Sequence, residues 1–283
     1  MIRTLLKWAA ALCMLWGSAI GVVASEQESA ALTVQVNSVA ACRQALAESR
    51  VAEAAHIYQL PEQLHLVSWN IYKANRDNLL SDLQQLAGTA DILLLQEAFV
   101  DERLTRLKPY WRFAPGYVDG NRATGVLTLS PWPARVHCRF THLEPWLRTP
   151  KATAVLEYQS SAGLLLAVNL HAVNFEFGIE AFTAQLSDVR KLVEDHSGPV
   201  VLAGDFNTWS EERTALVSEY FSALELTPAN FSQDNRTTTF GNALDHIWTR
   251  GVKITASEVP LHNSSDHNPL LITFRFNPAV ANK

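Results

Sequence analysis

Cysteine is scarce in this chain. The 283 residues contain three, with no CxxC pair and no Cys/His zinc spacing, so a structural zinc site has no residues to build it. Charge is sparse as well: 18% of residues are charged, with 23 Lys and Arg against 28 Asp and Glu, for a formal charge of −5. A protein that coats duplex DNA draws most of its affinity from a dense basic surface, and this balance argues against that class. It leaves room for a small basic groove. No internal repeat or low-complexity tract is present. What is there is apolar: 48% of residues are hydrophobic and eight are Trp, ample for a large core. The length fits one large domain or two small ones.

The N-terminus has the layout of an export signal. Arg3 and Lys7 precede an uncharged stretch from Trp8 to Ala24, and Val22-Val23-Ala24 offers small residues at a cleavage position. The expected location is therefore the periplasm or the exterior. A retained inner-membrane anchor is the second reading, since the stretch is at the lower limit for spanning a bilayer. Such an anchor would bring membrane contact. A cytoplasmic protein with an apolar N-terminal helix is the third. Cys13 falls in this leader. Cys42 and Cys138 then suit one disulfide in an oxidising compartment, or two unrelated buried thiols; the sequence supports both equally.

Residues 1–24 are thus a leader, 25–63 a polar, Ala-rich extension with a helix expected over Val39–Ala55, and 64–278 the main domain. From His65 onward strand, loop and helix alternate. Strands are expected at 64–69, 91–96, 126–129, 152–158, 164–170, 200–204, 243–249 and 270–276, with helices at 78–87, 179–195 and 211–221. Strands outnumber helices and several follow one another directly. That favours a sheet-rich α/β protein in which two sheets pack face to face with helices outside.

Polar residues punctuate the strand ends: Asn70, Gln96-Glu97, His171, Asp205 and Asn207. Asp245 opens a late strand and Asp266-His267 precedes the last. Each alone is an ordinary loop residue; their repetition at one kind of position is the signal. The set is rich in carboxylates, with amide and imidazole groups and no Cys. It suits Mg²⁺ or Mn²⁺, whose open coordination positions accept phosphate oxygens and water.

The ordered series Trp69-Asn70-Ile71, Leu95-Gln96-Glu97, Asn169-Leu170-His171-Ala172-Val173-Asn174, Gly204-Asp205-Phe206-Asn207, Leu244-Asp245-His246-Ile247 and Ser265-Asp266-His267-Asn268-Pro269-Leu270 resembles the endonuclease/exonuclease/phosphatase family, and within it the bacterial YafD-like branch. The resemblance runs from about His65 to Phe276. It implies a deoxyribonuclease I-like fold, a four-layer α/β/β/α sandwich of two mixed sheets, and metal-dependent hydrolysis of a phosphoester by water. Glu97, Asn70 and Asp266 would hold the metal. Asp205 would activate the water beside Asn207. His267, backed by Asp245, would donate to the phosphate. His171 and Asn174 would complete its cradle, and Arg148 and Lys151 are further phosphate contacts or simply a solvated pair. Many nucleases of the family carry a carboxylate two residues after the first Asn. Tyr72 stands there, which implies a leaner metal site.

The substrate class stays open between nucleic acid and a lipid head group, with phosphodiesterase or nuclease first and lipid phosphodiesterase or phosphoinositide-type phosphatase second. A lipid enzyme should expose an aromatic hairpin, for which Phe175, Phe177 and Ile179 are candidates, with core packing as the safer reading of these residues. A catalytically degenerate binding module is the third reading, opposed by the presence of Asp205, His267 and Glu97. A monomer is expected.

Overall fold

The computed structural model describes residues 33–51 and 58–278; the leader expected over 1–24 lies outside the described residues. Strand parity explains the architecture. Along β2 (Gln63–Asn70), Leu64 and Leu66 face one side and Val67 and Trp69 the other, and all four are buried. β3 (Ile92–Ala98) repeats this, with Ile92 and Leu94 on one face and Leu93 and Leu95 on the other. A strand apolar on both faces needs cover on both.

One cover is a second sheet. β7 (Pro150–Ser160), β8 (Gly163–His171) and β9 (Val200–Asp205) turn Ala154, Leu156, Ala167 and Ala203 towards Leu66 and Leu94. These form the inter-sheet core. The other cover is helical. α2 (Leu79–Thr89) lays Leu79 and Leu83 on the outer face of the first sheet, beside Trp69 and Leu95. On the outer face of the second sheet, α4 (Glu180–Glu194) and α5 (Glu211–Ser222) bury Phe182, Leu186, Val217 and Phe221 against Val168 and Leu202. The short α3 (Glu102–Thr105) follows β3. The layers run helix, sheet, sheet, helix, as the sequence implied.

The first sheet has six strands in the order β14-β15-β2-β3-β5-β4. Here β4 is Tyr110–Asp119, β5 Arg122–Ser130, β14 Val252–Glu258 and β15 Leu270–Phe276. The second has seven, β1-β6-β7-β8-β9-β13-β10, with β1 at Val34–Val36, β6 at Val136–Leu143, β10 at Thr227–Pro228 and β13 at Asp245–Arg250. A small ribbon, β11 (Thr238–Thr239) with β12 (Asn242–Ala243), lies apart. Both large sheets mix parallel and antiparallel pairs.

The stretch before the main domain contributes to the sandwich. β1 adds to the sheet edge in parallel with β6, and α1 (Val39–Val51) packs outside it. Cys42 on α1 is disulfide-bonded to Cys138 on β6, which decides between the two readings of these cysteines.

Candidate active site

Register gathers the polar strand ends at one edge of the sandwich. β8 runs parallel to β9 and sets His171 beside Asp205; β13 runs antiparallel to β9 and sets Asp245 on its other side. The row Asp245–Asp205–His171 continues the inward parity of Ile247, Ala203 and Ala167, so it sits at the mouth of the inter-sheet core. In the facing sheet, parallel β2 and β3 place Asn70 opposite Gln96 on the same inward face. Below the mouth the two sheets are tied by polar bonds. Gln96 Nε2 donates to Asn169 Oδ1 at 2.8 Å, and Asn169 Nδ2 donates to the Leu127 carbonyl at 3.2 Å.

Asp205 is almost fully buried and firmly held. Asn70 Nδ2 donates to its Oδ2 at 2.9 Å, and the Asn207 backbone N–H donates to its Oδ1 at 3.0 Å. The turn that makes this possible needs Gly204. Its φ is +148°, and a Cβ there would lie 1.9 Å from the Leu170 carbonyl oxygen. Asn207 has φ +50° and fixes its side chain by donating to the Ala172 carbonyl at 3.0 Å. Burial raises the Asp205 carboxyl above its ordinary range, and Asp245 pushes the same way. His267, Asn70 and the Asn207 N–H oppose the rise. A raised carboxylate is the stronger base once ionised.

His267 Nδ1–H donates to Asp245 Oδ2 at 2.7 Å, leaving Nε2 4.0 Å from Asp205 Oδ2. Burial works against its charge, but Asp245 and Asp205 outweigh it and lift the imidazole to about 10. The ring is therefore an imidazolium at neutral pH. Its loop is pinned from several directions. Trp69 Nε1 donates to the His267 carbonyl at 2.8 Å, Ser265 Oγ to the Asn70 carbonyl at 2.7 Å, and Arg76 Nη1 to the Ser265 carbonyl at 2.5 Å.

His171 behaves differently. Burial holds it well below its ordinary value, and Lys151 adds to this. Lys151 Nζ donates to His171 Nε2 at 3.1 Å, and that nitrogen lies 3.7 Å from Asp205 Oδ2. The charge on this side of the site belongs to buried Lys151, with neutral His171 as its acceptor. Lys151 is thus part of the cluster. Arg148 is not brought in: it sits exposed, at φ +56°, on the loop between β6 and β7. Asn174 Oδ1 accepts from Trp209 Nε1 at 3.0 Å.

Glu97 fits a hard cation. The pairing of β3 with β5 breaks between Leu95 and Ala98, and Glu97 takes φ +50°. Its half-buried carboxylate meets no hydrogen-bond donor among the described residues, and burial raises it above the ordinary carboxylate range. Lys151 and Lys73 act against that rise, Asp205 and Asp266 with it. A carboxylate without donors beside two more carboxylates is what Mg²⁺ or Mn²⁺ would satisfy. Asp266 is exposed and open to the same ion. The Asn70 amide oxygen already accepts from the Tyr72 N–H at 3.1 Å, which leaves it one lone pair for a metal. Asp205, Asp245 and His267 also offer ligand atoms within 4.8 Å of one another. A protonated imidazole is no metal ligand, so that trio is better suited to proton handling, and Glu97 with Asp266 to the cation.

Several features around the site, the backbone at Tyr72 among them, gave no sequence signal. Tyr72, Lys73 and Ala74 all have left-handed φ, at 47°, 56° and 53°. Such residues cost roughly 1–2 kcal/mol each. Arg213, buried under the Asn207 turn, donates to the carbonyls of Val173 (2.6 Å), Asn174 (3.0 Å) and Asn207 (3.1 Å) and pairs with Glu176 at 3.2 Å. Buried Glu144 accepts from the N–H groups of Asn174 (2.9 Å) and Phe175 (2.7 Å). A cleft of about 400 Å³ between β10, β13 and β14 lies away from the strand-end cluster, and no titratable side chain lines it.

Comparison with known proteins agrees with this geometry. Residues 67–267 match the model of the Endonuclease/Exonuclease/phosphatase family. A UPF0294 protein of Vibrio vulnificus (strain YJ016) is 41% identical over 218 residues, covering 75% of this chain and 77% of the relative. The endonuclease/exonuclease/phosphatase structure from Bacteroides vulgatus superposes with a TM-score of 0.60 at 18% identity, covering 77% of this chain and all of the other. ANGEL2, a 2′,3′-cyclic phosphatase, gives a TM-score of 0.55 at 16% identity, covering 76% and 96%. The chain belongs to the endonuclease/exonuclease/phosphatase family of phosphoester hydrolases, in its bacterial UPF0294 or YafD-like branch.

Proposed function

We propose that this chain is a divalent-metal-dependent phosphodiesterase that hydrolyses its substrate by direct attack of water. The observation that carries the reading is one buried carboxylate, Asp205, fixed by Asn70 beside an imidazolium, His267, that Asp245 holds at 2.7 Å. Base and acid stand about 4 Å apart at the strand-end mouth of the sandwich. Asp205 takes the proton of the attacking water. His267 donates from Nε2 to the phosphate as negative charge grows, and Lys151 adds a fixed positive charge. A hard cation at Glu97 and Asp266, with Asn70 beside them, would polarise the phosphate and neutralise its charge.

The test is Mg²⁺-dependent release of p-nitrophenol from bis(p-nitrophenyl) phosphate, run beside DNA, RNA and sphingomyelin vesicles. Wild type should turn over at least one of them, and Asp205→Asn and His267→Ala should each lose about 100-fold or more. Equal rates for wild type and both variants on all four would sink the proposal.

A second reading, action on lipid phosphodiesters, is favoured by one surface feature. Trp146 and Phe177 are 60% and 83% exposed and stack at 5.0 Å, with Phe175 edge-on to Trp146 at 6.3 Å. Buried Glu144 ties the loops carrying these rings together. Ile179 does not join them; it packs against the outer core. Sphingomyelin turnover without nucleic acid turnover would select this reading. The Cys42–Cys138 bond favours an oxidising compartment, in keeping with export.

A further inference from the structure

The reaction just described has no use for Lys73 or Tyr117, yet three consecutive left-handed residues, none of them glycine, carry Lys73 to the site. Backbone held in such a conformation is a pointer to function when the surroundings fix it. The turn sets the Lys73 ammonium 5.6 Å from the centre of the Tyr117 ring and 3.2 Å from Asp119 Oδ2. The Lys151 ammonium lies 5.8 Å from the same ring centre. Two cations therefore approach one tyrosine ring, and both also act on Glu97.

An ammonium has three N–H donors and no acceptor. Lys151 gives one to His171 Nε2. Lys73 pairs with Asp119 and lies beside the Tyr117 ring. Neither reaches Glu97 closely enough to form an ion pair, so donors remain on both lysines. Asp119 is half-exposed at the β4–β5 turn, and exposed pairs of this kind are weak enough for a phosphate to displace. Like charges held together with donors to spare are the arrangement that an anion stabilises.

We propose that Lys73, Tyr117 and Lys151 form an anion subsite that takes a second phosphate of the substrate, next to the phosphate attacked at Asp205 and His267. The inference rests on the phosphodiesterase reading and narrows it: the preferred substrate carries two phosphates on a short spacer, as neighbouring diesters of a polynucleotide do. Lys151 touches both positions through His171, and Lys73 marks the far one.

The test uses the full chain with Asp205→Asn, which blocks turnover, in calorimetric titrations with and without Mg²⁺. The probes are thymidine 5′-monophosphate, thymidine 3′,5′-bisphosphate and inositol 1,4-bisphosphate. The bisphosphate should bind about tenfold or more tightly than the monophosphate, the scale of one charge-assisted contact. Adding Lys73→Gln should bring that ratio near one, and Lys73→Arg should restore much of it. Tyr117→Phe removes the hydroxyl without touching the strained turn and should lower the ratio in between. Equal binding of mono- and bisphosphate to the parent, or an unchanged ratio with Lys73→Gln, overturns the subsite. Tighter binding of the inositol compound would keep the subsite and assign the second phosphate to a head group. A clear bisphosphate preference in a protein whose wild type hydrolyses nothing would uphold the subsite and sink the hydrolase reading. Hydrolysis without the preference would do the reverse.

Discussion

At the scale of single residues, the site rests on opposite fates for two imidazoles. His267 is lifted to about 10 by carboxylates, and His171 is pushed down by burial and by Lys151. His267 in the unfolded chain titrates near 6.5. A group raised on folding stabilises the fold fully below its unfolded value and loses that contribution as pH climbs through its folded value. The His267 contribution is therefore present at and below about pH 6.5 and fades towards pH 10. Activity should follow the same proton, with an alkaline limb near pH 10. Asp245→Asn removes the first of the three carboxylates that raise the ring, so this limb should move to lower pH while the rate falls. A profile of kcat/KM from pH 5 to 11 on bis(p-nitrophenyl) phosphate reads both. An alkaline limb that does not move in Asp245→Asn would assign it to another group. Asp205, Asp245 and His267 were legible in the sequence because each sits where an apolar run stops or is about to start. Lys73 and Tyr117 were not. Their meeting depends on a strained turn that no local composition marks, since a left-handed run is usually announced by glycine.

At the scale of elements, the strands buried on both faces were legible and those at sheet edges were not. β15 was expected at 270–276 and is found at Leu270–Phe276, and β9 and β3 are close to their expected spans. β4 and β14 carried no clear pattern. β4 is an edge strand with Pro115 and Gly116 and a register shift between Pro115 and Val118. β14 lies at the opposite edge, with mostly exposed side chains. Burial on one face or less gives an apolar pattern too weak to stand out. The loops that shape the site are held from inside by Arg213 and Glu144, whose partners lie some 30 to 40 positions away in the chain. Nothing local could have paired them. Arg213→Met keeps an unbranched apolar chain in place but removes the guanidinium stacked on Phe182 and Trp209 and strips three carbonyls and Glu176 of their donor. Leaving a buried carboxylate unpaired costs roughly 3–5 kcal/mol. The variant should unfold at lower urea concentration, with an unfolding free energy smaller by about that amount, and the His171–Glu176 loop should lose amide protection first in hydrogen exchange. Full protection of Asn174 and Phe175 in the variant would show that Glu144 suffices to hold this loop.

At the scale of the whole molecule, the segment before the main domain is joined to it by both pairing and covalent bond. β1 contributes only three residues of pairing at a sheet edge, a modest attachment alone. Burial of Cys42, Ala45 and Leu46 on α1 adds an apolar contact, and the Cys42–Cys138 bond closes a loop across 96 positions of sequence. Closing a loop of that size removes entropy from the unfolded chain worth about 4–5 kcal/mol in the chain-entropy model. The pair lies in the outer layer with α1, while Asp205 and His267 lie at the strand-end mouth of the inter-sheet core. Stability and chemistry should therefore separate. The double variant Cys42→Ser/Cys138→Ser should melt roughly 10–20 °C lower than the oxidised parent. Parent treated with reductant should follow it. At a temperature where both remain folded, their kcat/KM on bis(p-nitrophenyl) phosphate should agree within about twofold, since the covalent tie touches no group that handles the proton or the phosphate. A melting temperature shared by the variant and the oxidised parent would mean that packing of α1 alone secures the segment. A large loss of rate in a folded variant would mean that β6 transmits the position of α1 through β7 to Lys151.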